Sequence, residues 1–461
     1  LPVTSADMMI GGFAAGEAVA VVAEGYWAAQ RGLRALDIQW DDKGNGAVSS
    51  ADIAAQHQRD IEAGADRKSD HSSGNIDDAL ARAETVVSAD YTIPYLAHTC
   101  MEPLNATADY RDDQCEIWVG CQNPLGFRRA VADVLGLDEE QITFHNLLMG
   151  GGFGRKSRPD WAMQAALLSK AVGKPVQLIW SREEDVRQDF YRPASRSEFR
   201  AGLSQDGELL GWQNTYVNKQ EPAEAPLIPY AIEAQDIGYV QSPSHVPWGA
   251  WRSVDESMHG FFTESFIDEC AVVAGKDPYE YRANMLKAHP RHLAVLNRAA
   301  EEAGWGAPLG QGRSRGIALK ESFGSIVAQV AEISIVNEQV IIDRMVAVID
   351  PGFAVAPDGV VAQIESGIIY GLTAAIYGEI TIEDGAVQQS NFHDYPALRM
   401  TASPVIETHI INSGYAPGGA GEPGTPPAAS ALANAIYAAT GKRLRDLPLN
   451  KHIAFAEGGR A

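Results

Sequence analysis

Basic residues are in short supply. The chain sets 37 Lys and Arg against 60 Asp and Glu, a formal net charge of −23. Such a surface repels phosphate backbones and anionic lipid, which excludes nucleic acid and anionic membrane as main partners. It favours solubility and suits a basic redox partner. Cysteine is equally scarce. Cys100, Cys115, Cys121 and Cys270 show no iron–sulfur ligand spacing. They read as free, mostly buried thiols, with a disulfide left open. No apolar run reaches the length of a membrane span, and no signal-peptide pattern is visible. Solenoid repeats and long low-complexity tracts are missing as well. The first residue is Leu1 rather than Met, which reads as processing or as a fragment.

What is present belongs to a large mixed α/β protein. The chain has 461 residues, 45% of them hydrophobic, enough for two or three domain-sized cores. Met8 to Gly12, Ala18 to Val22 and Ile38 to Trp40 read as strands, and Tyr26 to Leu36 has helical periodicity. Asp66 to Asp78 is polar and reads as a linker. Helices are expected at Arg128 to Leu135, Trp161 to Val172, Phe261 to Ala274, Pro278 to Lys287 and Gln363 to Ala375. Val176 to Trp180 reads as a buried strand. Val327 to Val336 and Val340 to Ile349 read as a hairpin that turns at Asn337-Glu338-Gln339.

Two glycine clusters carry the chemical interest. In Gly418 to Pro427 one carboxylate, Glu422, sits among four glycines and three prolines, just before an Ala-rich run from Ala428 to Thr440. Glycine permits positive φ and close backbone approach, and proline stiffens the loop. The plainer reading of Glu422 is an acid at a helix N-terminus. The second cluster, Met149 to Lys156, places Gly150, Gly151, Gly152, Phe153 and Gly154 between an apolar run and a helical pattern. Its spacing is neither that of a Walker loop nor that of a dinucleotide fold. Three consecutive glycines and one Phe suit a backbone that passes close to a flat group, or a tight strand-to-helix turn.

Several further blocks resemble one family in order: Tyr95 to Pro103, Gln122-Asn-Pro124, Gly150 to Gly154, Asp189 to Ser195, Trp251-Arg-Ser253, Glu321 to Gly324, Asn391 to Pro396 and Gly421-Glu-Pro423. The chain resembles the molybdenum-binding large subunit of the xanthine oxidase and aldehyde oxidase family, in the branch of isoquinoline 1-oxidoreductase beta subunits and aldehyde dehydrogenases. The resemblance runs from about Ala18 to Leu449. It implies an α+β fold: a partial α/β hammerhead domain over 1–65, a linker over 66–83, and two elongated mixed α/β molybdenum-cofactor-binding parts over 84–312 and 313–461.

The resemblance also implies a function. Members of the family hydroxylate a carbon of an N-heteroaromatic ring or an aldehyde, taking the oxygen from water. A carboxylate serves as base, and electrons leave through the pterin to iron–sulfur clusters. The expected cofactor is a molybdopterin dinucleotide, in the cytosine form, with molybdenum held through the pterin rather than by side chains. The expected partners are a small subunit with [2Fe-2S] clusters and a second polypeptide that supplies a pterin-binding segment and the rest of the hammerhead. Periplasm and cytoplasm stay open as compartments. A scaffold that keeps this fold without the reaction is the alternative, and the retained Glu422 and Gln122 argue against it.

Site residues follow residue by residue. Glu422 matches the base, and burial without a permanent cation beside it would raise its pKa. Gln122 matches the glutamine that bonds a molybdenum oxo ligand. Gly151, Gly152 and Phe153 match the loop that reaches the pterin edge. Arg252 matches an arginine whose main chain lies against the metal site, and Gly421 belongs to the Gly-Glu-Pro motif. Ser157 stands where purine-specific members carry a glutamate, so a purine is not the expected substrate. Trp251 beside Arg252-Ser253 points to a more closed or differently shaped pocket. His98 and Glu102 lie four apart, but Pro103 spoils a helical metal pair. His393-Asp394 reads as a turn, and Glu183-Glu184-Asp185 as a solvated helix start.

Overall fold

The computed structural model describes residues 18–457, together with the backbone of three two-residue strands, Pro2–Val3, Met9–Ile10 and Phe13–Ala14. Of the run from Met8 to Gly12, only Met9–Ile10 falls within this description, where it pairs antiparallel with Phe13–Ala14.

One four-stranded sheet has the spatial order Val176–Ile179, Asn105–Arg111, Gln114–Val119, Ile142–Asn146. The helices Pro124–Leu135 and Asp160–Val172 cover it. Leu104, Ile117, Phe127, Val131 and Trp161 fill the space between. Pro at the first turn and an Asn123 side chain that accepts the Gly126 N–H start the first of these helices, as preorganised φ and an N-cap dictate. Val176 to Trp180 was expected to be a buried strand; the strand Val176–Ile179 is the edge of this sheet, and of the run only Val176 and Trp180 are buried.

A five-stranded sheet runs Lys68–Ser73, Ala234–Val240, Leu209–Val217, Ser195–Leu203, Thr85–Ile93. The third sheet runs Arg313–Ser322, Ser325–Val336, Gln339–Asp350, Val405–Ile410, with Ala454–Phe455 also on Gln339–Asp350. The helices Glu256–Val273 and Pro426–Thr440 lie between these two sheets and pack on each other. Tyr91, Phe199, Trp212, Phe261, Phe266, Ile317, Val327 and Ile436 form one continuous hydrophobic cluster across that sandwich. The hairpin at 325–350 forms as expected, because Asn337 and Glu338 both adopt positive φ, 49° and 64°, the twist a two-residue hairpin loop needs.

Four expectations are corrected. Lys68–Ser73, read as linker, is a sheet edge paired with Ala234–Val240. Its polar side chains are partnered there: Asp70 accepts from Tyr216 Oη at 2.6 Å and pairs with Lys219. Ile38–Trp40 forms no strand, and Trp40 is exposed. Asp185 is buried and paired with Arg182 at 2.7 Å rather than solvated. Finally, among the described residues the helix Pro357–Ile376 is long and apolar enough to cross a membrane. Its Ile364, Ile368 and Leu372 are nevertheless fully buried in the large cluster, as in a core helix. The four cysteines are free and buried, as read.

Candidate functional site

The glycine loop is shaped by backbone that only glycine tolerates. Gly151 and Gly154 have φ of 97° and 108°. A Cβ on Gly154 would lie 1.6 Å from the Ala250 carbonyl oxygen, and one on Gly152 would lie 2.6 Å from Gln122 Oε1. The Gln122 side chain accepts the Gly154 N–H at 3.0 Å, and its backbone N–H donates to Lys156 O at 2.9 Å. This leaves the carboxamide N–H groups of the exposed Gln122 for an acceptor outside the chain. Glu102 closes the other end. It accepts the Gly150 N–H at 2.8 Å and the Lys156 ammonium, so it serves the loop and not a metal. No group of three metal-ligating side chains occurs among the described residues.

The second loop arrives from the opposite sheet. Gly419 N–H donates to Phe323 O and Gly418 N–H to Pro351 O, both at 2.8 Å. Ser325 Oγ donates to Gly419 O at 2.6 Å. Farther along, Gly424 lies against the backbone of Ile364, and Gly367 and Gly371 of the same helix meet Gly424 and Thr425. Glu422 stands at the exposed rim of this packing and is half-buried.

Arg252 joins the two loops. Its guanidinium donates to Gly421 O at 3.0 Å, Ser366 Oγ at 2.9 Å and Gln363 Oε1 at 3.1 Å, and lies 6.0 Å from the centre of the Phe153 ring. Ser253, with φ of 73°, donates its hydroxyl to the Glu422 backbone carbonyl at 2.8 Å. Burial raises the Glu422 carboxyl above its ordinary 4.5, while the Ser253 backbone amide and the Arg252 charge pull it back. The expected rise is therefore present, but a cation does stand beside the group. The six other candidates, Gln122, Gly151, Gly152, Phe153, Arg252 and Gly421, lie with Glu422 along this one line of contacts.

Sequence reasoning missed the aromatic stack beneath it. Phe153 lies flat on Tyr370 with centroids 4.6 Å apart, and Trp251 on Tyr370 at 4.7 Å. Trp251 is thus buried against Tyr370. Gln363, Ser366 and Tyr370 share one face of the Pro357–Ile376 helix at spacings of three and four. That periodicity could have flagged them. Ser157 bonds the Gly154 carbonyl at 2.6 Å. His393 is exposed, while Asp394 accepts the N–H groups of Ser390 and Asn391, which makes that pair a turn.

The partly open glycine loop, with Gly150 exposed and Gly151 and Gly154 half-buried, and the free Gln122 amide groups fit a flat, oxygen-rich group such as a molybdenum–pterin. Comparisons with known proteins agree. Residues 57–286 and 300–404 each match a molybdopterin cofactor-binding domain, together well over half of the chain; Glu422 lies beyond both. The beta chain of isoquinoline 1-oxidoreductase from Brevundimonas diminuta is 30% identical over 406 residues, 82% of this chain and 52% of that protein. A nicotinate dehydrogenase subunit of Pseudomonas putida is 30% identical over 429 residues, 84% of this chain and 36% of that protein. The chain therefore spans about half or less of the length of these curated relatives. The crystal structure of quinoline 2-oxidoreductase from Pseudomonas putida 86 shares the fold, with a TM-score of 0.71 at 16% identity over 83% of this chain and 77% of that one. With its two molybdopterin cofactor-binding domains, the chain belongs to the xanthine oxidase family of molybdenum-binding large subunits.

Proposed function

We propose that the chain carries the catalytic site of a molybdenum hydroxylase that oxidises a carbon of an N-heteroaromatic ring or an aldehyde, with water as the oxygen source. The observation that carries this reading is Glu422, a half-buried carboxyl with a raised pKa, set in a glycine loop that Arg252 ties to a second glycine loop. The names of the two relatives support the N-heteroaromatic class. A molybdopterin dinucleotide in its cytosine form, when bound, would supply the two-electron oxidation and the activated oxygen.

The chain's own residues do the rest. Glu422 takes the proton from the attacking water-derived hydroxyl; a carboxylate that binds its proton more tightly than an exposed one is the stronger base. Gln122 donates its free amide N–H groups to a cofactor oxygen. Gly151 and Gly152 let the backbone lie flat against the pterin edge, and Phe153 backs it. Arg252 is fully engaged with Gly421, Gln363 and Ser366, so it holds the Glu422 loop and does not bind substrate.

Electrons leave to a [2Fe-2S] partner. The greater length of the relatives supports a further pterin-binding segment, on the same or on a second polypeptide. The two family matches, which end at residue 286 and begin again at residue 300, support a division of the cofactor-binding region somewhat before the expected residue 312. Pterin extraction with metal analysis, followed by anaerobic reduction with isoquinoline and with benzaldehyde in oxygen-18 water, tests the proposal. Labelled product from either substrate is the expected result. A metal-free protein, or one that neither substrate reduces, leaves a scaffold.

A further inference from the structure

His98 lies directly behind the glycine loop and is 1% exposed. Its Nδ1 lies 2.9 and 3.0 Å from the two Asp189 oxygens, and its Nε2 lies 2.8 Å from the Ala250 carbonyl oxygen. The Ala250 oxygen can only accept. Asp189 is an acceptor as well: it takes the His98 backbone N–H at 2.6 Å and the Phe190 N–H at 2.7 Å, and Arg155 Nε stands 3.1 Å away. Burial alone would push the Asp189 carboxyl up, but His98 and Arg155 hold it below its ordinary value. A neutral imidazole has one N–H and one lone pair, so it would set a lone pair against an acceptor at one end.

We propose that His98 carries a proton on both ring nitrogens and acts as the positioning residue that clamps the 250–253 segment onto the glycine loop. The surrounding charges favour this. Arg155 makes a bidentate pair with Asp160, at 2.8 and 2.7 Å, and leans on Asp189. With His98 charged, the buried Asp189 faces two cations, the imidazolium and Arg155 Nε; with His98 neutral it faces Arg155 alone. Of the other charged groups nearby, Arg158 acts on Asp160 rather than on Asp189. Asp185 is paired with Arg182, and the Tyr370 hydroxyl donates to the His98 carbonyl at 3.0 Å.

The consequence for the site is mechanical. Ala250 touches Gly154 backbone to backbone, and two residues later Arg252 grips Gly421 next to Glu422. One imidazolium N–H thus fixes the distance between the two loops. This deepens the proposed function, because it explains how base and pterin loop stay in register, but its test does not depend on turnover.

The full chain is prepared with nitrogen-15 in its histidines, with and without cofactor. The expected spectrum has both His98 ring nitrogens protonated, assigned by its loss in His98→Asn. A pyridine-type nitrogen at His98 overturns the proposal, and His98→Gln supplies the same assignment should His98→Asn fail to fold. Hydrogen exchange then reads the clamp. His98→Asn keeps a donor toward Asp189 and loses the one toward Ala250. Amides of 150–156 and 250–255 should exchange about tenfold to a hundredfold faster, the loss of one hydrogen bond from a charged donor, while the 325–350 hairpin stays unchanged. His98→Gln can still donate to Ala250 and should restore most of the protection at 250–255. Unchanged exchange in His98→Asn, or equal loosening in both variants, refutes the clamp. A metal-free wild type with the doubly protonated ring would refute the proposed function and leave this inference standing.

Discussion

Glu422 is pulled in two directions, and both can be measured. Burial raises its pKa and Arg252 lowers it. Glu422→Gln keeps shape and hydrogen bonding but cannot take a proton, so turnover should fall by about a hundredfold to ten-thousandfold. Metal content and melting temperature should stay near wild type, because the glycines and prolines that shape the loop remain. A pure capping role gives the opposite pattern: about 1 kcal/mol of stability lost with substrate reduction intact. Arg252→Gln removes the cation. The acid limb of the kcat/KM profile should already lie above the ordinary 4.5 in wild type, and it should move higher still in the variant. A limb that moves down would mean that Arg252 does not act on Glu422 through its charge.

The helix Pro357–Ile376 sets how closely the Glu422 loop can approach. Its Gly371 offers bare backbone: a Cβ there would lie 2.9 Å from Thr425 O, and one on Gly367 would lie 3.1 Å from Gly424. Gly371→Val should therefore cost about 1–3 kcal/mol by overpacking, read as a fall in thermal stability, and should weaken cofactor retention as the loop is pushed outward. Elements with a strong local signal were legible in the sequence. The 325–350 hairpin announced itself through long apolar strands and a short polar turn, and the Asp160–Val172 helix through its apolar period. Lys68–Ser73 was not legible, because an edge strand whose side chains end in ion pairs has the composition of a linker. Ile38–Trp40 erred the other way: its β-prone residues find no strand to pair with. At the site, the two glycine loops and Glu422 were readable. The buried tie between Asp189 and His98, and the Phe153, Tyr370 and Trp251 stack, join residues far apart in sequence, and no local pattern records such contacts.

Across the whole molecule, buried charge makes stability depend on pH. Asp255 opens the central helix Glu256–Val273 at 1% exposure. Burial and the neighbouring Glu256 push its carboxyl up to about 8, against the Gln220 N–H and Lys219. A folded pKa above the unfolded one means the folded state holds the proton more tightly. Stability is then complete below the ordinary 3.8 and declines as pH rises toward about 8. Asp255→Asn keeps an acceptor for Gln220 and cannot ionise. Its melting temperature should be flatter than wild type across that window, and parallel curves for the two proteins would refute the assignment. The net charge of −23 gives a further expectation. Binding of the iron–sulfur partner proposed above should weaken steeply as salt is raised if that partner is basic, and salt-independent affinity would point to an apolar interface instead. The order of chain contacts also bears on biosynthesis. The strand at Thr92 is completed by Asp446, 354 positions later, and by Leu447, whose N–H donates to Thr92 O. The helix Pro426–Thr440 fills the space beside Glu256–Val273. A nascent chain cannot close its first large core until these distant residues have been translated, since contacts at this separation form late. The two glycine loops then meet only after that point, which places cofactor insertion behind synthesis of the whole region.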